Sequence, residues 1–255
     1  MLFFRLLKIF ICFEVSFLTM ILIIPFGIFT LFRTRRIYVQ LFIKPMCHLI
    51  LFLCGISVKV TKPYYLPENQ SIYVFNHTSN FDPFILCSLG LPNTRFFLSE
   101  GFSFRGNEQF LPMTVMATMM GTFFTPSQDE PQKRALCFQH AERILRLTND
   151  SVLLSPEGLR NTTGEIGKFN KGAFHLATNL KWSIYPVYFS FPEGVNPGTG
   201  YKFSSGEIGV HFLPKIDTKD WKLDDLEKNK KNVRSVFCEF HQTMGSDKKV
   251  GDDLN

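Results

Sequence analysis

The chain has 255 residues, of which 45% are hydrophobic and 20% charged, with 29 phenylalanines. That length holds one full-sized catalytic domain with little left over, and the composition excludes both a disordered adaptor and a multi-pass channel. A net charge of +6 suits anionic partners such as acidic lipid headgroups, phosphate-bearing cosubstrates or an acidic protein; no nucleic-acid-binding signature accompanies it, and nucleic acid is not expected as a partner.

In chain order, Val15 to Phe32 is the first feature, an uncharged apolar run of 18 residues. As a helix it would span roughly 27 Å, close to the hydrocarbon thickness of a bilayer. Arg5 and Lys8 precede it, and Arg33, Arg35 and Arg36 follow. The heavier cluster places the following chain in the cytoplasm, at a bacterial inner membrane or the endoplasmic reticulum. A second apolar stretch, Met46 to Val58 behind Lys44-Pro45, is too short to cross comfortably and reads as a re-entrant or interfacial helix. Residues 1–58 are therefore expected to form a membrane-anchoring hairpin dipping into the cytoplasmic leaflet. The six cysteines fall at no metal-ligand spacing and read as packing thiols in a reducing compartment.

From about Thr61 short β-branched or aromatic runs alternate with helical ones. Ser71–Phe75, Arg95–Ser99, Ser151–Ser155, Trp182–Phe189 and Glu207–Leu213 read as strands. Pro131–Leu147 reads as a helix capped by Asp129, Asn170–Leu180 as a second helix, and Leu223–Met244 as a third with one apolar stripe. Such alternation predicts an α/β fold, a mixed sheet flanked by helices, over residues 59–245. Residues 246–255 are polar and expected to be loose.

After the first of these strands comes Asn76-His77-Thr78-Ser79-Asn80-Phe81-Asp82. A carboxylate five residues beyond a histidine can accept its Nδ1 proton at a strand-to-helix turn, leaving Nε2 to take a proton from a hydroxyl. The same spacing also fits a core histidine beside an aspartate that caps a helix before Pro83. A second segment, Ser155-Pro156-Glu157-Gly158-Leu159-Arg160, leads into a glycine-rich stretch through Lys168 and Lys171. Its glycines permit close backbone approach, its basic side chains pair with phosphate oxygens, and a helix starting near Asn170 would add amides to an anion site. An ordinary glycine-rich turn with solvated lysines is the alternative.

The order of these blocks resembles the glycerolipid acyltransferase family typified by 1-acylglycerol-3-phosphate (lysophosphatidic acid) acyltransferases. That family carries N-H-x4-D, G-x-x-F, F-P-E-G-T-R and V-x-P-V blocks. Here Asn76 to Asp82 matches the first and Gly121-Thr122-Phe123-Phe124 part of the second. Ser155 to Arg160 matches the third and Ile184-Tyr185-Pro186-Val187 the fourth. The resemblance implies direct acyl transfer from acyl-CoA or acyl-carrier protein to a lipid hydroxyl, with His77 as base and Asp82 orienting it. It implies that Glu157, Gly158 and Arg160 position the acceptor headgroup and that Pro186 shapes the acyl pocket, with Asn76, Lys168 and Lys171 as further substrate contacts. No cofactor and no metal is implied. The chain departs from the family at Leu159, where threonine is usual, and at Thr125-Pro126-Ser127, where the second block normally ends in an arginine; Lys168, Lys171 or Arg134 would then compensate, or the acceptor would be another lysophospholipid or hydroxylated lipid. A catalytically inactive lipid-binding scaffold is the remaining alternative.

Overall fold

The computed structural model describes residues 2–30, 35–61, 69–106, 110–161, 163–192, 195 and 204–252, the side chains of 2–6 and 245–252 excepted. Side-chain alternation in the central strands sets the architecture. β2 (Ile72–Phe75) and β5 (Ser151–Leu154) are buried at every residue, as strands covered on both faces must be. Tyr73, Phe75, Leu153, Val187 and Phe189 point into one core, while Ile72, Val74, Val152, Leu154, Ile184 and Tyr188 point into the other.

Five further strands complete one mixed sheet: β1 (Ile56–Thr61), β3 (Thr94–Ser99), β4 (Phe123–Thr125), β6 (Ile184–Ser190) and β7 (Gly206–Phe212). The order is β1-β7-β6-β2-β5-β3-β4, with neighbours parallel except for β6 against β7. The first core lies under α1 (Leu2–Phe29), α2 (Arg35–Tyr38), α3 (Lys44–Cys54), α4 (Asp82–Leu89) and α5 (Leu111–Met119). The second lies under α6 (Pro131–Leu147), α7 (Gly172–Leu180) and α8 (Leu226–Asp252). This is the α/β sandwich anticipated from the alternating pattern, with a pair of apolar helices at its N-terminus.

That pair differs in detail from expectation. The second helix is not the short Met46–Val58 segment. It is a helical rod from Arg35 to Cys54, 20 residues long, with a π-helical turn at Val39–Ile43. Lys44 donates to Val39 O, five residues back, and that wider turn seats Pro45, which has no N–H to give, near the start of α3. The rod ends at Gly55, whose φ of +73° makes the left-handed cap that bulkier residues resist. Ile56 to Val58 then belong to β1, because the buried or half-buried Ile56, Val58 and Val60 alternate with the exposed Ser57, Lys59 and Thr61 instead of following a helical period. The first helix, Leu2–Phe29, starts well before Val15; Leu31, Phe32 and Arg33 of the anticipated run and basic cluster lie outside the described residues.

Both ends of the rod are held to the sandwich. At its start, Arg35 pairs with Asp150 and donates to Met120 O at 3.2 Å, Arg36 donates to Asn149 O at 3.2 Å, and the Tyr38 hydroxyl bonds Met119 O. At its end the chain enters β1 directly. Elsewhere α6 occupies Pro131–Leu147, but its cap position is Glu130 and no side chain caps it; Asp129 bonds Ser127 instead, one residue too early to reach the helix amides. α8 buries Leu226, Val233 and Phe237, and runs on to Asp252 where a loose tail from Ser246 was anticipated. Polar composition alone does not separate a solvated helix from coil. All six cysteines are free thiols.

Candidate active site

The register brings the two motif loops together. Val74 of β2 sits beside Leu154 of β5 in parallel pairing, so both strands end at the same edge of the sheet. The loop after β2 carries His77, the loop after β5 carries Glu157 to Arg160, and the carboxyl ends of adjacent parallel strands are where an open α/β sheet places ligands.

His77 and Asp82 form the centre. Asp82 is fully buried at the first turn of α4, with Pro83 behind it, and its Oδ2 accepts His77 Nδ1 at 2.7 Å. The same oxygen accepts the backbone N–H of Thr78 at 2.9 Å and of Ser79 at 3.0 Å. Those amides can only donate, so Oδ2 is an acceptor and Nδ1 carries a proton; in the neutral ring the lone pair then falls on Nε2. The His77 side chain is 30% exposed, which leaves it open to a substrate. Burial pushes the Asp82 carboxyl up from its ordinary pKa, against the pull of His77 and of the two amides. The carboxylate therefore sits in a buried cradle compensated by the His77 ring and by the Thr78 and Ser79 amides.

Glu157, anticipated as a headgroup contact, is bonded on both oxygens to backbone amides. It is buried, with Oε2 accepting His77 N at 2.9 Å and Oε1 accepting Gly167 N at 2.7 Å. Its carboxyl is raised by burial, with the two backbone donors acting against the rise. Asn161 N returns a bond to His77 O at 2.7 Å, and Arg160 Nη1 bonds Asn80 Oδ1. Three links thus lock the histidine loop to the loop behind β5. Gly158 follows with φ +74°, and a Cβ there would lie 2.6 Å from Asn170 Nδ2, which itself donates to Glu157 O at 2.9 Å. Any side chain there would strain the left-handed backbone and displace the Asn170 amide from Glu157 O.

The remaining anticipated residues are dispersed. Asn76 is buried and its amide exchanges two bonds with the Phe189 backbone, Nδ2 to O at 3.0 Å and N to Oδ1 at 2.7 Å; it extends the β2–β6 pairing past the strand end. Lys171 is drawn away to Glu227 of α8 at 2.8 Å, and Lys168 is exposed. Arg134, a suggested substitute for a missing basic residue, donates to Pro126 O at 2.7 Å from behind that segment. The helix expected to start near Asn170 begins at Gly172, and Asn170 N itself bonds Pro156 O at 2.6 Å. Pro186 is buried within β6 opposite Val74, and by alternation it faces the α6–α8 core. Two braces had no signal in the sequence. Arg234 of α8 holds the glycine-rich loop through Gly167 O at 2.7 Å and Ile166 O at 2.6 Å, and Gln128 lies against Gly158.

An apolar cavity of about 60 Å³ opens between α1, α3, α4, α5 and β3. Pro83 and Phe84, directly after Asp82, line it together with Met46, Phe96, Met116 and Ala117. Among the described residues no cluster of histidine, cysteine and carboxylates could hold a metal.

Comparison with known proteins follows the same lines. A family model described as Acyltransferase matches residues 57–190. A human 1-acyl-sn-glycerol-3-phosphate acyltransferase beta is 30% identical over 198 residues, covering 75% of this chain and 69% of that protein. The 1-acyl-sn-glycerol-3-phosphate acyltransferase of Limnanthes douglasii is 23% identical over 237 residues, covering 90% and 80%. The crystal structure of the 1-acyl-sn-glycerophosphate (LPA) acyltransferase of Thermotoga maritima superposes with a TM-score of 0.71 at 18% identity, covering 94% of this chain and 98% of that one.

Proposed function

This chain belongs to the acyltransferase family, and on that premise we propose that it transfers a fatty acyl group from acyl-CoA or acyl-carrier protein to the free hydroxyl of lysophosphatidic acid, giving phosphatidic acid. The observation that carries the proposal is the Nδ1–Oδ2 bond of 2.7 Å with Oδ2 fixed as acceptor, which leaves Nε2 as the ring nitrogen for the substrate. His77 Nε2 removes the acceptor hydroxyl proton as the oxygen attacks the thioester carbonyl. The imidazolium formed is stabilised by Asp82 and returns its proton to the departing thiolate, so no enzyme-bound acyl intermediate is required. Glu157 acts by holding His77 in place. Arg160, at the mouth between the two loops, is the cation that meets the acceptor phosphate. The apolar cavity that starts at Pro83 receives the acyl chain, its lining of methionine and phenylalanine suiting a flexible hydrocarbon.

Membrane seating follows from the exposed side of the helical pair. Phe10, Phe17, Ile21, Ile28 and Phe29 on α1, with Leu41 and Phe52 on the rod, are open to solvent, while Ile23, Tyr38, Ile43 and Ile50 are buried against the sheet. Both helices are long and apolar enough to cross a bilayer. Held at both ends, however, the rod lies along the sandwich, and the outer face of the pair enters one leaflet, on the cytoplasmic side by the basic cluster. This places the dyad beside lipid substrates without passage through water.

The test supplies palmitoyl-CoA to purified protein with lysophosphatidic acid and other lysophospholipids in competition, following products by mass spectrometry. Phosphatidic acid as the principal product supports the reading. Selective acylation of a lysophosphodiester would move the acceptor, and the neutral Thr125-Pro126-Ser127 segment, which precedes the Gln128 that lies against Gly158, is the feature that favours this second reading. Failure with every acceptor, repeated with acyl-carrier protein as donor, would remove the proposed activity.

A further inference from the structure

At the opposite edge of the sheet from His77 lies a cavity of about 140 Å³ that the chemistry above does not use, its floor apolar (Leu86, Leu91, Phe96, Met120) and its rim carrying guanidinium groups. It is framed by Arg35, Arg36 and Gln40 on the helical rod and by Gly90, Asn93 and Thr94 between α4 and β3. Asp150, at the entry to β5, is the carboxylate that faces this group, and its side chain is only 4% exposed. Arg35 and Arg95 both pair with it, Arg95 through Nε at 2.8 Å, and Arg36 approaches it at 3.9 Å. Arg95 and Arg35 also donate to the Gly121 and Met120 carbonyls, which holds the two guanidiniums rigid. Three guanidiniums against one carboxylate leave two positive charges among the described residues. Lys44 adds its ammonium beside Gly90.

Arg36 is 52% exposed and makes one hydrogen bond among the described residues, to Asn149 O. It lines the cavity at its open side, with Gln40 one turn further on. Ile37 and Leu41, the next residue after each, are exposed apolar side chains, 48% and 59%. A rigid, positively charged cavity therefore adjoins, residue by residue, the apolar face that enters the leaflet. An anion that arrives attached to hydrocarbon satisfies both surfaces at once, and guanidinium groups match phosphate oxygens in fork geometry.

We propose that this cavity binds the phosphate of an anionic membrane lipid, with Arg36 as the contacting side chain and the lipid's chains lying on Ile37 and Leu41. The site is separate from the catalytic end and orients the sandwich on the bilayer. It rests on the membrane seating proposed above but not on the identity of the acceptor lipid. Free phosphate offers the same oxygens, so the test must tell the two sources apart.

The experiment sediments full-length protein with phosphatidylcholine vesicles and with vesicles in which phosphatidylglycerol replaces one-third of the lipid. Arg36→Glu is compared with Lys231→Glu, the same two-unit charge change on exposed α8 in the opposite layer. At about five-fold per unit charge near an anionic surface, Arg36→Glu is expected to remove roughly 25-fold of the gain in binding produced by phosphatidylglycerol. Lys231→Glu should remove little of it, Arg36→Lys should keep most of it, and binding to pure phosphatidylcholine should be unchanged in all three. Equal losses for the two reversals would overturn the proposal in favour of general surface attraction. Loss of the wild-type gain on adding inorganic phosphate at fixed ionic strength would overturn it in favour of a free-phosphate site. Failure of the wild type to bind any vesicle would remove the seating and this inference with it, while leaving acyl transfer in detergent untouched.

Discussion

Replacing Asp82 by asparagine changes one charge while keeping the shape of the dyad. The asparagine oxygen must take the place of Oδ2, because the Thr78 and Ser79 amides both donate there. It can still accept His77 Nδ1–H, so the tautomer survives. Its NH2 then falls at the position of Oδ1, a buried atom with no hydrogen-bond partner among the described residues, at a cost of about 1–3 kcal/mol in stability. The rate suffers more. With Nδ1 and Oδ2 2.7 Å apart, the imidazolium formed during transfer stands close to the carboxylate. Unit charges about 4 Å apart at an effective dielectric near 20 attract by about 4 kcal/mol, and that attraction exists only once the ring is charged. Its loss should lower kcat by roughly 1,000-fold with little change in acceptor KM. Release of coenzyme A thiol from palmitoyl-CoA in the presence of lysophosphatidic acid reads the rate, and a thermal melt confirms the fold. A folded variant with kcat within ten-fold of wild type would refute the claim that Asp82 stabilises a cationic His77. A change confined to KM would make Asp82 a binding residue only.

Three further outcomes follow from the same geometry. Glu157→Gln must present an NH2 to either His77 N or Gly167 N, so it should cost about 2 kcal/mol and lower Tm by roughly 4–8 °C, with kcat reduced because the histidine loop is no longer clamped; unchanged melting would contradict the clamp. Ala117→Phe fills the cavity beside Pro83 and should shift donor preference toward shorter acyl chains, measured by competition between palmitoyl-CoA and octanoyl-CoA; an unchanged ratio would place the chain elsewhere. Asp150 is raised by burial yet held below its usual range by Arg95 and Arg35, so its stabilisation is complete above the ordinary carboxylate pKa and is lost as pH falls through the lower folded value. Asp150→Asn should therefore be less stable by about 3 kcal/mol at neutral pH, with the gap to wild type closing below about pH 4 in denaturant titrations.

What could be read from the sequence, and what could not, divides by the range of the interactions. The strands at Ile72–Phe75 and Ser151–Leu154 announce themselves because a strand buried on both faces is a short unbroken apolar run. The His77–Asp82 pair was legible because both residues lie on one turn, where spacing determines distance. α4 and α5, which begin with Asp82-Pro83 and Leu111-Pro112, went unassigned since their eight or nine residues are mostly apolar all round and show little periodicity. β1 was absorbed into the preceding apolar stretch for a similar reason: only Gly55 marks the change from helix to strand. The binding roles anticipated for Glu157, Asn76 and Lys171 were charge and polarity read without partners. Their partners, Gly167, Phe189 and Glu227, lie between 10 and 113 residues away along the chain. Glu157 and Asn76 are buried and tied to backbone groups, and Lys171 pairs with Glu227 at the surface, contacts that no local window contains.

His77→Ala addresses the central claim most directly. The alanine removes the base but leaves the backbone bonds from His77 N to Glu157 and from Asn161 N to His77 O, so the loops stay locked. Wild type and variant, matched for vesicle binding and melting temperature, receive palmitoyl-CoA and lysophosphatidic acid, and phosphatidic acid is quantified by mass spectrometry. The account predicts phosphatidic acid from wild type and none above background from the variant. Phosphatidic acid formed by His77→Ala at a rate near wild type would contradict it.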